Sequence, residues 1–221
     1  MSQEKQEYLI GKNVLPAGVF VIWSLIIYLG FLCGTSQFWE SVESDYGTLS
    51  RKGGFLLAIM PIVLLVLSGL LTGGMKARLV FWRWRYPLPG HRAFSELAPK
   101  DARIDMRLLK AKHGVMPKEP RAQNTAWYGI YRRYQNATIV KQVHRRFLLA
   151  RDLAVNSLVL AIGGAVGLAL AGAGVLAVLF YSLVMMLHYL AFAIAARNYG
   201  IGFVCNVLVE YVADRSDPTA S

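Results

Sequence analysis

The chain has 221 residues; 55% are hydrophobic and only 17% charged, yet its formal net charge is +11. A soluble domain of this length carries about a quarter charged residues, so this is not the make-up of a purely water-solvated globule. Two cysteines exclude a disulfide framework.

The apolar residues come in blocks. Residues 14–33 contain no charge, and about 20 apolar residues suffice to cross a hydrocarbon core as a helix. The block is too long for a signal-peptide core and lacks small residues just before Cys33, so an uncleaved span is expected. Residues 34–52 carry Glu40, Glu43 and Asp45, which suits an external loop, while Arg51 and Lys52 argue the other way. Residues 53–75 form a second uncharged block. Residues 153–196 form a third, twice as long and cut by Ala171-Gly172-Ala173-Gly174, which reads as two spans joined by a tight turn. The expected fold is therefore all-α and multi-pass, with four transmembrane helices arranged two plus two.

Between the pairs lies the charge. Residues 75–152 hold 18 of the 24 Lys+Arg and 5 of the 13 Asp+Glu, for a local net charge of +13. Positive loops stay cytoplasmic, which places this segment and both termini inside. Cys33 and Cys205 then face opposite leaflets and do not pair. Four segments follow: 1–74, tail and first helix pair; 75–152, basic helical cytoplasmic segment; 153–196, second pair; 197–221, cytoplasmic amphipathic helix and tail.

Within the basic segment, residues 76–86 read as a helix running out of the second span and stopped by Pro87 and Pro89. Next, Asp101 is the expected N-cap of a short helix whose apolar face is Ile104, Leu108 and Ala111, with Gly114 as its stop. Residues 115–120 read as a linker. From Arg121 onward Trp127, Tyr131 and Tyr134 form a stripe at helical spacing, and Val140, Val143, Phe147 and Leu148 continue it after a slip near Asn136. Beyond the last span, Val204, Val207, Leu208, Tyr211 and Val212 make one face of a further helix. Asn206, Glu210 and Asp214 make another, and Gly200-Ile201-Gly202 reads as a break separating this helix from the span.

Tryptophan favours the headgroup layer and arginine pairs with lipid phosphate. Arg78, Trp82, Arg83, Trp84, Arg85, Arg145, Arg146 and Arg151 are accordingly the expected membrane-interface anchors. Gly163, Gly167 and Ala171 are spaced for close helix packing, against the fourth span or another subunit. His188 is the candidate intramembrane polar site, as a hydrogen-bonded neutral imidazole or as a proton relay. The histidines have no metal spacing. His91, Ser95, Glu96, Asp101 and Asp105 make no nucleophile signature, so no catalytic, metal or cofactor site is expected. Asn136-Ala137-Thr138 matches a glycosylation sequon on the side expected to be cytoplasmic, where it stays unmodified. The run PLPGHRAFSELAPKDARID, residues 87–105, stands out as a motif without an assignable role.

The expected function is that of a non-enzymatic integral protein of a bacterial inner membrane. It would be a scaffold or effector whose cytoplasmic segment receives a signal from a soluble partner. The two-plus-two plan resembles, in architecture alone, bacterial membrane effectors in which a cytoplasmic sensor triggers membrane disruption; the resemblance implies a membrane-perturbing role, as in a defence system. The alternative is a channel or transporter subunit with His188 and the glycine-rich span lining the path. Expected partners are anionic headgroups, a second copy of the chain and a soluble cytoplasmic protein, with no specific nucleic acid.

Overall fold

The structure, a computed structural model, describes residues 3–33, 69–170 and 172–214. Among these the chain is mainly helical, with no strand. Its α-helices are α1 (Gln3–Cys33), α2 (Gly73–Phe81), α3 (Met106–His113), α4 (Pro120–Tyr134), α5 (Thr138–Leu170) and α6 (Val175–Ala213). Short turns of 3-10 and π type cover Pro89–Lys100 between α2 and α3. Helices α5 and α6 are each long and apolar enough to cross a membrane, and Leu15–Phe31 is a shorter apolar stretch of α1. The second expected span falls mostly outside the described residues, as does the expected external loop.

Contacts divide the chain into two compact units. One comprises Met1–Thr72 and Asp152–Phe192; the other comprises Gly73–Arg151 and Ala193–Ser221. We call them the apolar and the basic unit.

In the apolar unit, close approach rests on glycine and on aromatic edges. A methyl group on Gly164 would collide with the Tyr181 hydroxyl, and one on Gly167 would lie 2.8 Å from that of Tyr28. Tyr181 donates to the Leu160 carbonyl at 3.1 Å and meets the rings of Tyr28 and Phe31 edge-on, each at 5.8 Å. Ser24, Ser157 and Ser182 each donate to the carbonyl four residues back at 2.8 Å, so none leaves a hydroxyl unsatisfied in an apolar setting. α5 ends in a Schellman motif. Gly172 has φ +75°, its amide bonds to the Ala169 carbonyl, and the Ala173 amide bonds to that of Leu168.

The basic unit has a conventional core. Trp127, Ile130 and Tyr131 of α4 pack with Phe203, Val204, Val207, Leu208 and Tyr211 of α6, and Phe94, Leu97, Ile104 and Leu109 complete the cluster. The Trp127 indole donates to the Val204 carbonyl at 3.3 Å, and its ring stacks on Tyr131 and meets Phe203 edge-on. Glu119 caps α4 through the Ala122 amide at 2.7 Å, with Pro120 in the first turn. The slip near Asn136 is a true interruption, Gln135–Ala137, between α4 and α5.

Four local expectations are corrected. The N-cap of α3 is Asp105, which accepts from the amides of Arg107 and Leu108; Asp101 instead chelates Arg103. Leu109, not Leu108, is the buried leucine of α3, and Leu108 is exposed. α2 stops at Phe81, ahead of the prolines, where Trp82 turns into the left-handed region. Finally, α6 is unbroken through Gly200 and Gly202. A side chain at Gly200 would meet the Phe81 ring at 2.7 Å and the Phe147 ring at 3.1 Å, so this glycine is a notch for two phenylalanines rather than a hinge.

Candidate functional site

The stretch after α2 is the most unusual backbone in the basic unit. Phe81 is buried against Gly200 and Phe147. Trp82 and Tyr86 then take φ of +53° and +51°, the described non-glycine residues with positive φ. Bulky residues adopt that region at a cost of about 1–2 kcal/mol, and such strain persists only where surrounding contacts enforce it. Here the contacts are visible. The Arg197 guanidinium of α6 sits 4.5 Å from the Trp82 ring. The Tyr86 ring lies 5.2 Å from that of His91 and 6.0 Å from the Arg121 guanidinium. The result is an outward strap, residues 82–86, in which Trp82, Arg83, Trp84 and Arg85 are exposed, Trp84 at 84%.

Of the other interface residues, Arg78 is exposed on α2. On α5, Arg146 is exposed, Arg145 and Arg151 are half-buried, and the Arg151 guanidinium lies 5.8 Å from the Phe147 ring. Gly163 faces open space and Gly167 faces Tyr28 of α1; Ala171 lies outside the described residues. His188 lines an open groove of about 490 Å³ with Trp23, Ile27, Gly30, Phe31 and Val184. Its Nδ1 is 2.8 Å from the Val184 carbonyl of its own helix, an acceptor that places the ring proton on Nδ1.

Residues 87–105 follow the strap, and their first turns pack on α4. Gly90 packs closely on α4: a side chain there would meet the Asn124 carboxamide and lie 3.1 Å from the Trp127 ring. The wholly buried Gln123 accepts from the amides of Phe94 and Ser95, both at 3.1 Å, and donates to the Lys118 carbonyl at 3.0 Å. Asp101 takes a bidentate pair from Arg103 at 2.9 and 2.7 Å, and Arg103 also donates to the buried Asn206 of α6 at 2.9 Å. The Arg103 hydrogen bonds hold the Asp101 carboxyl down at about 2, while burial and the neighbouring Asp101 push the Cys205 thiol up to about 12. Lys112 donates to the carbonyls of Tyr211 and Asp214, and Tyr134 donates to the Asp214 carboxylate at 2.7 Å. Each member of the His91, Ser95, Asp101 and Asp105 set thus has a structural bond: His91 with the Leu88 carbonyl, Ser95 with Gln123, Asp101 with Arg103, and Asp105 at the α3 cap.

Sequence reasoning missed Arg92 and Arg197. The Arg92 side chain is 12% exposed and its nearest carboxylate, Glu96, is 3.7 Å away. Its Nε and Nη1 have no hydrogen-bond partner among the described residues. Burial and the charges of Arg83 and Arg197 lower its pKa, against a raising effect of Glu96. Arg92 follows the conspicuous Gly90-His91, but nothing local signals that Arg197, over a hundred residues later, returns to it. Among the described residues no group of three or more His, Cys, Asp or Glu is placed to hold a metal. Comparison with protein-family models, with curated proteins and with solved structures found no match.

Proposed function

We propose that the chain is a non-enzymatic integral membrane protein of a bacterial inner membrane. It has four spans in a two-plus-two arrangement, with both termini and the basic unit cytoplasmic. In this reading the basic unit receives a soluble partner, and the signal passes to the spans for a scaffolding or membrane-perturbing outcome. One observation carries the proposal. The +13 segment and the end of α6 share one core, and α5 and α6 each run without a break from the basic unit into apolar stretches long enough to span a bilayer. A partner that shifts α4 against α6 therefore acts on a helix that is itself a span.

A reporter fused after Ser221 is expected to be active only in its cytoplasmic form; a periplasm-active fusion overturns the topology. The full chain is expected to co-purify with a stoichiometric soluble protein. That protein is lost in Trp127→Ala, which opens the shared core, while membrane insertion is retained. Stoichiometric capture that survives Trp127→Ala would contradict the role assigned to the basic unit.

The His188 groove favours a second reading, a channel or transporter subunit. Proton flux into liposomes that is present in the wild type and lost in His188→Ala is its expected signature.

A further inference from the structure

A guanidinium withdrawn from water normally has its donors filled, because each buried donor without a partner forfeits the hydrogen bond it made to solvent. Arg92 departs from this. Two of its nitrogens are buried without a hydrogen-bond partner among the described residues, and Glu96 stands at 3.7 Å while sharing its charge with Lys100, also at 3.7 Å. Arg83 and Arg197 lie near enough for their charges to act on Arg92. Arg197 is fixed by the Trp82 ring, and Arg83 is the next residue on the same strained strap. Neither has a carboxylate partner among the described residues. Arg92 thus shares its one carboxylate with Lys100 while the charges of two further guanidinium groups act on it, a like-charge arrangement that opposes itself unless an anion enters. Arginine forks match the oxygens of a phosphate in geometry and charge.

We propose that Arg83, Arg92 and Arg197 form a binding site for a phosphate group, carried by a lipid headgroup or by a soluble phosphate compound. The strap residues Trp82 and Tyr86 are positioning residues that hold Arg83 and Arg197 towards Arg92. The lipid source rests on the membrane reading above; the soluble source does not, so the two can fail separately.

The test uses the full chain. In zwitterionic detergent, inorganic phosphate is compared with chloride at matched ionic strength. In the same detergent, itself free of phosphate, the chain alone is compared with the chain supplemented with phosphatidylglycerol. Specific binding is expected to raise the unfolding midpoint by about 2–4 °C in at least one arm. A rise with inorganic phosphate identifies a soluble source; a rise confined to phosphatidylglycerol identifies a headgroup. Arg83→Gln, on an exposed residue, and Arg197→Gln are expected to abolish the rise, while Lys110→Gln, an equal loss of charge elsewhere, keeps it. Arg92→Lys, which keeps the charge but not the fork, is expected to weaken binding about tenfold. No rise in either arm, or a rise that Arg83→Gln and Arg197→Gln leave intact, overturns the site.

Discussion

Along residues 152–192 many large apolar side chains are exposed, although Leu160, Leu168, Tyr181 and Met185 are buried. Ile162, Val166, Leu179, Phe180, Leu183 and Leu187 are all exposed, and the closest inner contacts are made by Gly164, Gly167 and serine hydroxyls. In the basic unit the order reverses: Trp127, Tyr131, Leu109 and Leu208 are inside and cations cover the surface. One chain therefore uses two sources of cohesion. Water drives the second core together through the hydrophobic effect. The first has no such drive if lipid surrounds it, and must rely on close packing and on polar groups satisfied within each helix. An exposed leucine consequently means different things in the two units.

The sharpest way to break this comparison is to truncate one large residue in each unit. Trp127→Ala removes a buried stacked ring and an indole hydrogen bond, and is expected to destabilise the basic unit by about 3–5 kcal/mol. Leu183→Ala, on the exposed face of α6, is expected to cost under about 0.5 kcal/mol in a lipid-like environment. Thermal unfolding in nanodiscs compares the two, and equal losses would erase the distinction.

A pair of glycines comes next. Gly200→Ala drives a methyl into the Phe81 ring, which is 2% exposed and has nowhere to retreat; a loss of about 1–3 kcal/mol is expected. At Gly163 nothing lies within 4 Å. There alanine is expected to be neutral, or to stabilise by up to about 1 kcal/mol, since it is the better helix former.

Acid distinguishes the units further. His144, on the part of α5 that precedes its apolar stretch, stacks on Phe203 at 4.5 Å between ring centres. Burial, aided by the charge of Arg151, drives it down to about 4, and burial lowers His113 as well. Both are lowered relative to the ordinary histidine value of 6.5, so the unfolded chain binds more protons between that value and about 4. Stability is complete above pH 6.5 and is lost as the pH falls through this window. The unfolding midpoint should drop over that range, and drop less in His144→Phe, which keeps the stack. The smallest effect is expected at the α3 cap. Asp105→Ala should cost about 1 kcal/mol by denaturant unfolding.

The helical make-up and several local breaks were legible in the sequence because they rest on patterns that act locally. The tight turn at Gly172 follows from small residues between apolar runs, and the stop at Gly114 (φ +75°) from a glycine after a helical pattern. The break at Gln135–Ala137 showed itself as a slipped stripe. What escaped depends on distant partners. Gly200 reads equally as hinge or notch until Phe81 and Phe147 are placed beside it. Asp101 and Asp105 both suit an N-cap, and the choice is made by Arg103, which claims the first and hands it on to Asn206. Gln123 looks like a surface residue of a polar helix, yet it satisfies two amides 28 and 29 residues back. The exposed half of the candidate site, Trp82 to Arg85, could be named from residue type alone. Its buried half, Arg92 and Arg197, could not.

The shared core of the basic unit also sets a timetable for biosynthesis. Phe94, Trp127 and Tyr131 leave the ribosome well before Phe203, Val204 and Leu208, with which they pack. At about 5–20 residues per second, the roughly 70 residues between Tyr134 and Phe203 take on the order of 3–14 s to make. Throughout that interval the nascent chain carries, beside a dense row of cations, an aromatic face that the end of α6 has yet to cover. Closure waits on the segment that follows the last apolar stretch, so the unit can complete itself only after that stretch has been synthesised.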